Sequence, residues 1–192
     1  DLKTQVGKLI LPGRQLSEVN IGVQLKNGQL QVTPLRFGLA GGTFDGGVQL
    51  DAAANTPTLG LQLNGRGFEL GQLQANGPIS GGRSELKVDV KSRGDHLRAL
   101  MAAASGETWI SVGEGKLQNK AINWAAGDFI FQVLGAINPL SKSEDHTAMS
   151  CAAVRFVLRD GMATAEDGIA LRTDKVDVTG SGTVNLRNEE LD

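Results

Sequence analysis

Leu25-Lys26-Asn27-Gly28 and, far along the chain, Leu158-Arg159-Asp160-Gly161 open two segments of the same design. The first closes through Gly42-Thr43 into Val48-Gln49-Leu50, the second through Gly182-Thr183 into Val184-Asn185-Leu186. Both read as hairpin, excursion, glycine turn and return strand. Asn-Gly and Asp-Gly accept the two positive φ angles of a type I′ turn, whose twist matches its flanking strands. Repeat-like units are therefore expected at residues 19–51 and 154–187. A chain that repeats this unit stacks strands, and stacked one-sided strands build a long apolar surface. Function is to be sought in that surface and not in a catalytic pocket.

Composition agrees. The 192 residues, 40% of them hydrophobic, suit one β-rich segment over 1–192 with a sizeable core. With 26 glycines, no tyrosine and only 4% aromatics, the strands are aliphatic and the turns tight. Nineteen basic against 21 acidic residues, with no basic run, exclude a nucleic-acid partner. Cys151, the one cysteine, sits beside Ala152 and Ala153 and reads as a small buried hydrophobe. No apolar run reaches the roughly 20 residues of a membrane span, and Asp1-Leu2-Lys3 is no signal peptide. The abrupt start, and the stop at Asp192 just after a strand pattern, suggest a piece excised from a longer protein whose membrane anchor would lie elsewhere.

Outward from the two hairpins, Val19 to Leu25 alternates apolar with polar or small residues, as does Leu86 to Lys91. Pro34 interrupts the pattern between Val32 and Leu35, where a bulge or kink is expected. Leu59 to Leu63 reads as a strand ended by a turn at Asn64-Gly65, with Phe68 and Leu70 starting another. Residues 95–138 read as a helical insertion. Its first helix, about 95–105, is capped by Asp95, shares a face among Leu97, Leu100, Met101 and Ala104, and stops at Gly106. A short strand follows at Trp109 to Val112. The second helix, about 123–138, carries Ala126, Phe129, Ile130, Val133, Leu134 and Ile137 at helical spacing and ends at Asn138-Pro139. Ser141 to Thr147 reads as an exposed loop, and the last quarter as a ladder of short hairpins.

Chemistry-bearing patterns are lacking. His96 reads as exposed in the first turn of its helix, and His146, beside Glu144 and Asp145, has no second histidine or cysteine at ligand spacing, so no metal is expected. Gly113-Glu114-Gly115-Lys116 lacks the rest of a P-loop, and Gly180-Ser181-Gly182 lacks both a third glycine and a following helix. With no Gly-x-Ser-x-Gly elbow, paired-carboxylate motif or Cys/His pair, neither an enzyme nor a cofactor is expected. Outer-membrane barrels need aromatic girdles this chain cannot supply. Periodicity alone favours a closed sandwich, in which the one-sided strands bury each other; the other solution leaves part of that face to a ligand.

The block Val154 to Gly161, Asp167-Gly168-Ile169-Ala170-Leu171 and Val176 to Leu186 resembles the C-terminal signature of the AsmA family. Gly115-Lys116-Leu117 leading into the second helix, and the earlier helix before it, follow the order of AsmA-like proteins, so the resemblance is closest over residues 80–192. It implies a mainly β fold of stacked antiparallel hairpins forming a curved open sheet, a taco-like groove with two short helices inserted. It also implies a Gram-negative envelope protein in the periplasm, tied to the inner membrane by an N-terminal helix absent from this chain and related to bridge-like lipid transfer proteins. The expected partners are phospholipid acyl chains, with possible envelope protein partners. The expected function is a section of groove that binds or conducts phospholipid between inner and outer membrane; the alternative is a non-catalytic scaffold module affecting outer-membrane protein assembly.

An exposed acyl chain costs about 0.8 kcal/mol per methylene, so a continuous dry strip suffices to carry lipid while headgroups stay wet. At about 4.8 Å per strand, ten to twelve strands give a strip roughly 50 Å long. The residues expected to line it are Val19, Ile21, Val23 and Leu25; Leu86, Val88 and Val90; Val154 and Phe156; Val176, Val178, Val184 and Leu186.

Overall fold

The computed structural model describes residues 1–11, 14–73, 79–118, 146–188 and 190–191. The chain forms β1 (Leu2–Leu11), β2 (Arg14–Lys26), β3 (Gln29–Leu39), β4 (Gly42–Asp51), β5 (Thr58–Glu69), α1 (Leu70–Leu73), β6 (Ile79–Gly81) and β7 (Arg83–Arg93). It continues with α2 (Leu97–Ala102), β8 (Ser105–Val112), β9 (Gly115–Gln118), β10 (His146–Arg159), β11 (Met162–Thr173), β12 (Asp177–Asn185) and β13 (Glu190–Leu191). One antiparallel sheet holds every described strand in the order β1-β2-β3-β4-β5-β7-β8-β10-β11-β12-β13, with β6 and β9 as a side branch. Along that main path sequence neighbours are spatial neighbours. The sheet stays open, and the principal contacts between elements run along the ladder, so no closed sandwich forms.

Turn chemistry explains much of this. Asn27-Gly28 and Asp160-Gly161 take paired positive φ values of 51° and 77°, and 45° and 77°, as a two-residue hairpin demands. Ala40-Gly41 does the same at 52° and 77°. Alanine has no side chain to settle that conformation, so Ala40→Asn is expected to raise stability by about 0.5–1 kcal/mol, read as a higher urea midpoint.

Pro34 lies in an unbroken β3, at a bulge where the register slips between Val32 and Leu35 and the missing N–H has no ladder partner to disappoint. Other slips fall in the β2–β3, β5–β7, β10–β11 and β11–β12 pairs, and each bends its strand.

Several expectations are corrected. Asn64-Gly65 is no turn: β5 runs straight through it, and Gly65 is needed because a methyl there would lie 2.6 Å from the Phe44 ring. Leu70 begins a helix, not a strand. Asp167-Gly168 and Gly182-Thr183 are also inside strands, the former at the β11 bulge, so the second unit turns back at Asp174-Lys175 instead. The first helix is shorter than expected; its N-cap is His96, which Asp95 pairs at 2.6 Å, and no side chain caps it. Gly106 belongs to β8 at φ 145°, extending a strand and not stopping a helix. His146 and Thr147 are strand, because they pair with Gln118 and Leu117. Cys151 is exposed, since it stands opposite Arg172 on the polar side of the sheet. The expected helix at 123–138 lies outside the described residues, as do Glu144 and Asp145; between α2 and that stretch the chain is strand, β8 and β9.

Two small cores sit at opposite strand ends. At one, β6 and β9 continue β7 and β8 past a corner at Gly81-Gly82 and Gly113-Glu114, enclosing Phe68, Ser84, Val112, Leu117 and Met149. At the other, Ala104 beside α2 packs with Leu158 and Ala163, and Val90, Phe156, Val184 and Leu186 close around them. The Ser92 hydroxyl donates to the Leu100 carbonyl and ties α2 to β7.

Candidate functional site

Residues paired across a ladder point to the same face, so register alone traces which side chains form a surface. One row runs Leu2, Val23, Val32, Val48, Leu61, Val90, Gly106, Leu158, Ala163 and Val184, each opposite the next on ten successive strands from β1 to β12. No polar side chain interrupts it. At about 4.8 Å per step the row is roughly 43 Å long.

Parallel rows widen the strip. Ile21, Leu35, Gly46, Leu63, Val88, Thr108 and Phe156 follow on one side, and Leu25, Leu30, Leu50 and Leu59 on the other. Phe37, Phe44, Gly65, Leu86, Ile110, Val154 and Ile169 form a further row. Most of these side chains are half-buried, each leaning on its row neighbours, but Leu158 and Ala163 are enclosed in the core beside α2 and Phe44 is 5% exposed. Leu25 is 70% exposed and Leu2 61%.

The opposite face is polar. Gln24, Gln31, Gln49, Gly60 and Lys91 make one row, and Asn20, Arg36, Asp45, Asn64 and Lys87 another. Cross-strand pairs brace it: Arg66 reaches Asp45 at 3.3 Å, Arg155 reaches Glu107 at 2.7 Å and Arg172 reaches Asp177 at 3.0 Å. The hydrogen bond from Arg155 holds the Glu107 carboxyl below its ordinary range, and the one Arg172 donates to the Asp177 carboxylate raises the Arg172 guanidinium. These exposed pairs fix strand pairing more than they stabilise it.

Of the expected lining residues, Val23, Val90 and Val184 share the longest row, Ile21, Val88 and Phe156 the next, and Leu86 and Val154 the aromatic one. Val178 stands opposite Leu171 toward the corner, and Val19 is 5% exposed. Val176 falls outside the rows, in the β11–β12 turn, where its N–H donates to Thr173 Oγ1. Leu186 follows β12 and packs into the α2 core. Sequence reading missed Leu2, Val32, Val48, Leu61, Leu158 and Ala163. Hairpin register could have found some of them, since a two-residue turn at Asn27-Gly28 sets Leu25 opposite Leu30 and Val23 opposite Val32.

At the Asn27-Gly28 end, a cleft of about 780 Å³ reaches from β3 to the β10–β11 turn, bordered by Leu30, Leu50 and Leu59 and by Asp51, Lys91, Arg93 and Asp160. Among the described residues no three His, Cys, Asp or Glu side chains group as metal ligands do, and no helix is long and apolar enough to cross a membrane.

An aliphatic strip on one face and a braced polar face on the other is what the chain presents. The model of the AsmA family matches residues 1–168, reaching further toward the N-terminus than the signature blocks alone and ending before β12. The AsmA family protein YhjG of Escherichia coli (strain K12) is 21% identical over 180 residues, which are 92% of this chain and 26% of that protein. The chain thus spans about a quarter of that relative's length. No solved structure matches. With most of its length matched by the family model and its open antiparallel sheet in place, the chain belongs to the AsmA family.

Proposed function

We propose that this chain is a section of a non-enzymatic trough that holds phospholipid acyl chains along its aliphatic face, on their way between the inner and outer membranes of a Gram-negative cell. The observation that carries the reading is the apolar row that starts at Leu2 and crosses ten strands to Val184, its part from Leu2 to Leu61 lying outside the core beside α2. A lipid tail laid along it loses water at about 0.8 kcal/mol per methylene and needs no directional contact, so it can slide. Family membership supports an envelope role and with it a periplasmic setting, the whole protein being tied to the inner membrane.

Val88 tests the proposal. It is half-buried in mid-sheet, opposite Leu63 and Thr108. Val88→Glu is expected to leave the circular-dichroism spectrum unchanged while abolishing the phospholipid recovered in organic extracts of the purified protein. Unfolding of the variant would mean that Val88 serves as core. Wild-type protein that carries no lipid would favour the scaffold module acting on outer-membrane protein assembly.

A further inference from the structure

We propose that residues 94–104, which carry α2, are a displaceable strap over a second acyl-chain site: seated, the strap closes the aliphatic face of β7 to β12 at its α2 end, and a lipid tail held on β1 to β5 lifts it and takes its place. This rests on the trough reading and adds to it an occluded site and the element that guards it.

Register and hydrogen bonds locate the strap. Ser92 stands opposite Leu59 on the aliphatic face, and its hydroxyl donates to the Leu100 carbonyl. Farther on, Arg187 Nε donates to the Ala102 carbonyl at 3.3 Å and the Gly161 amide to the Ala104 carbonyl at 2.9 Å, so the segment reaches from β7 past the β10–β11 turn to the residues after β12. Arg98 on α2 donates in turn to the Arg187 carbonyl at 3.4 Å. Packed with Ala104 are Leu158, Ala163, Val90 and Val184, all members of the row that begins at Leu2. That row therefore has two halves of five strands each, one from Leu2 to Leu61 outside this core and one from Val90 to Val184 that runs through it.

The strap's own hold is slight. No residue of α2 is buried, Leu97 being 74% and Met101 39% exposed, and Ala104 is the one buried side chain between residues 94 and 104. Apart from that methyl group the strap is held by hydrogen bonds at the rim of the sheet, where water competes for them. An acyl chain covers the same floor with a gain for every methylene that leaves water, and it needs no directional bond. Gly94 at φ 154° and Gly106 at φ 145° bound the strap on either side, so the backbone can swing at both ends. The way in is continuous: the row Leu30, Leu50, Leu59 runs into Ser92, and these four line one cleft with Ala103.

Amide hydrogen exchange is the test. Delipidated protein is loaded from vesicles of phosphatidylethanolamine and phosphatidylglycerol, re-isolated and compared with the lipid-free form. The amides of Leu100, Ala103 and Ala104, which bond within the strap, are expected to exchange about tenfold faster with lipid bound, the scale of one or two lost hydrogen bonds, while those of β2 to β5 do not quicken. Exchange in the strap that is unchanged or slower on loading overturns the strap and leaves the trough standing. Ser92→Ala with Arg187→Ala removes two of the ties, circular dichroism serving as the check on folding. This variant is expected to hold about twice the phospholipid of the wild type, since the two halves of the strip have equal numbers of strands. A folded variant whose strap exchanges faster but which holds no more lipid also overturns the strap. Wild type and variant that both take up no lipid overturn the trough and the strap together.

Discussion

Phe68→Ala is expected to lower the unfolding free energy by about 3–5 kcal/mol, the range for emptying a buried aromatic site. Phe68 is 1% exposed, and its ring lies 5.0 Å from that of Phe44, which stacks on Phe37 at 5.0 Å and 5°. The stack sits where β5 ends and the corner begins, joined to Ser84, Val112 and Met149, all at 4% exposure or less. In an open sheet few side chains are fully enclosed, so this one holds a large part of a total that is typically only about 5–15 kcal/mol. Urea unfolding is the measurement, with a fall in midpoint at nearly constant slope. Phe68→Leu, which keeps most of the volume, should cost about 1.5 kcal/mol. A loss below about 1 kcal/mol for the alanine variant would show that the corner stabilises little.

Gly106→Ala is expected to destabilise by roughly 3 kcal/mol or more, through backbone strain and overpacking together. Gly106 has a φ of 145°, where a side chain is strained, and an added methyl would strike the Asp89 carbonyl oxygen with the Val90 Cα only 2.9 Å away. Those atoms are the backbone of β7, the ladder partner of β8, and they can move only by parting the two strands. Amide exchange should therefore quicken first in β7 and β8. Gly60→Ala is the control: its methyl would meet only Gln49 Cβ at 3.9 Å, and the change should be close to neutral. If both variants unfold alike, the clash is not the cause.

Gly106 also shows where sequence reading succeeds and fails. Alternation such as Leu86-Lys87-Val88-Asp89-Val90 declares a strand and its dry face because the side-chain period in β structure is two. Asn-Gly and Asp-Gly declare a hairpin for an equally local reason. A glycine with no neighbouring signal declares neither. Gly106 sits after a helical pattern and reads as its stop, yet its conformation is set by Val90 and Leu158 on either side. Asn64-Gly65 misleads in the same way, since what Gly65 answers to is the ring of Phe44, on the neighbouring strand β4. Cys151 was legible only through register, because a slip between Met149 and Cys151 decides which face it meets. The aliphatic strip was half legible: the residues in clean alternation could be named, whereas Ala163 joins it by pairing alone. The charged cleft was not legible at all, being assembled from β4, β7 and the turn after β10.

The bulges set a rule for how such a sheet can change size. Adding a whole hairpin contributes two strands and keeps every existing side chain on its own side, so the dry strip simply grows. Adding one residue inside a strand sends all later side chains of that strand to the wet side, unless the surplus is taken up as a local loop-out. Thr33-Pro34 on β3, facing a single residue on the strands beside it, has the form of such an absorbed surplus. Growth by whole hairpins is therefore neutral for the aliphatic strip and growth by single residues is not, which makes the length of this strip an easily varied quantity and its sidedness a rigid one.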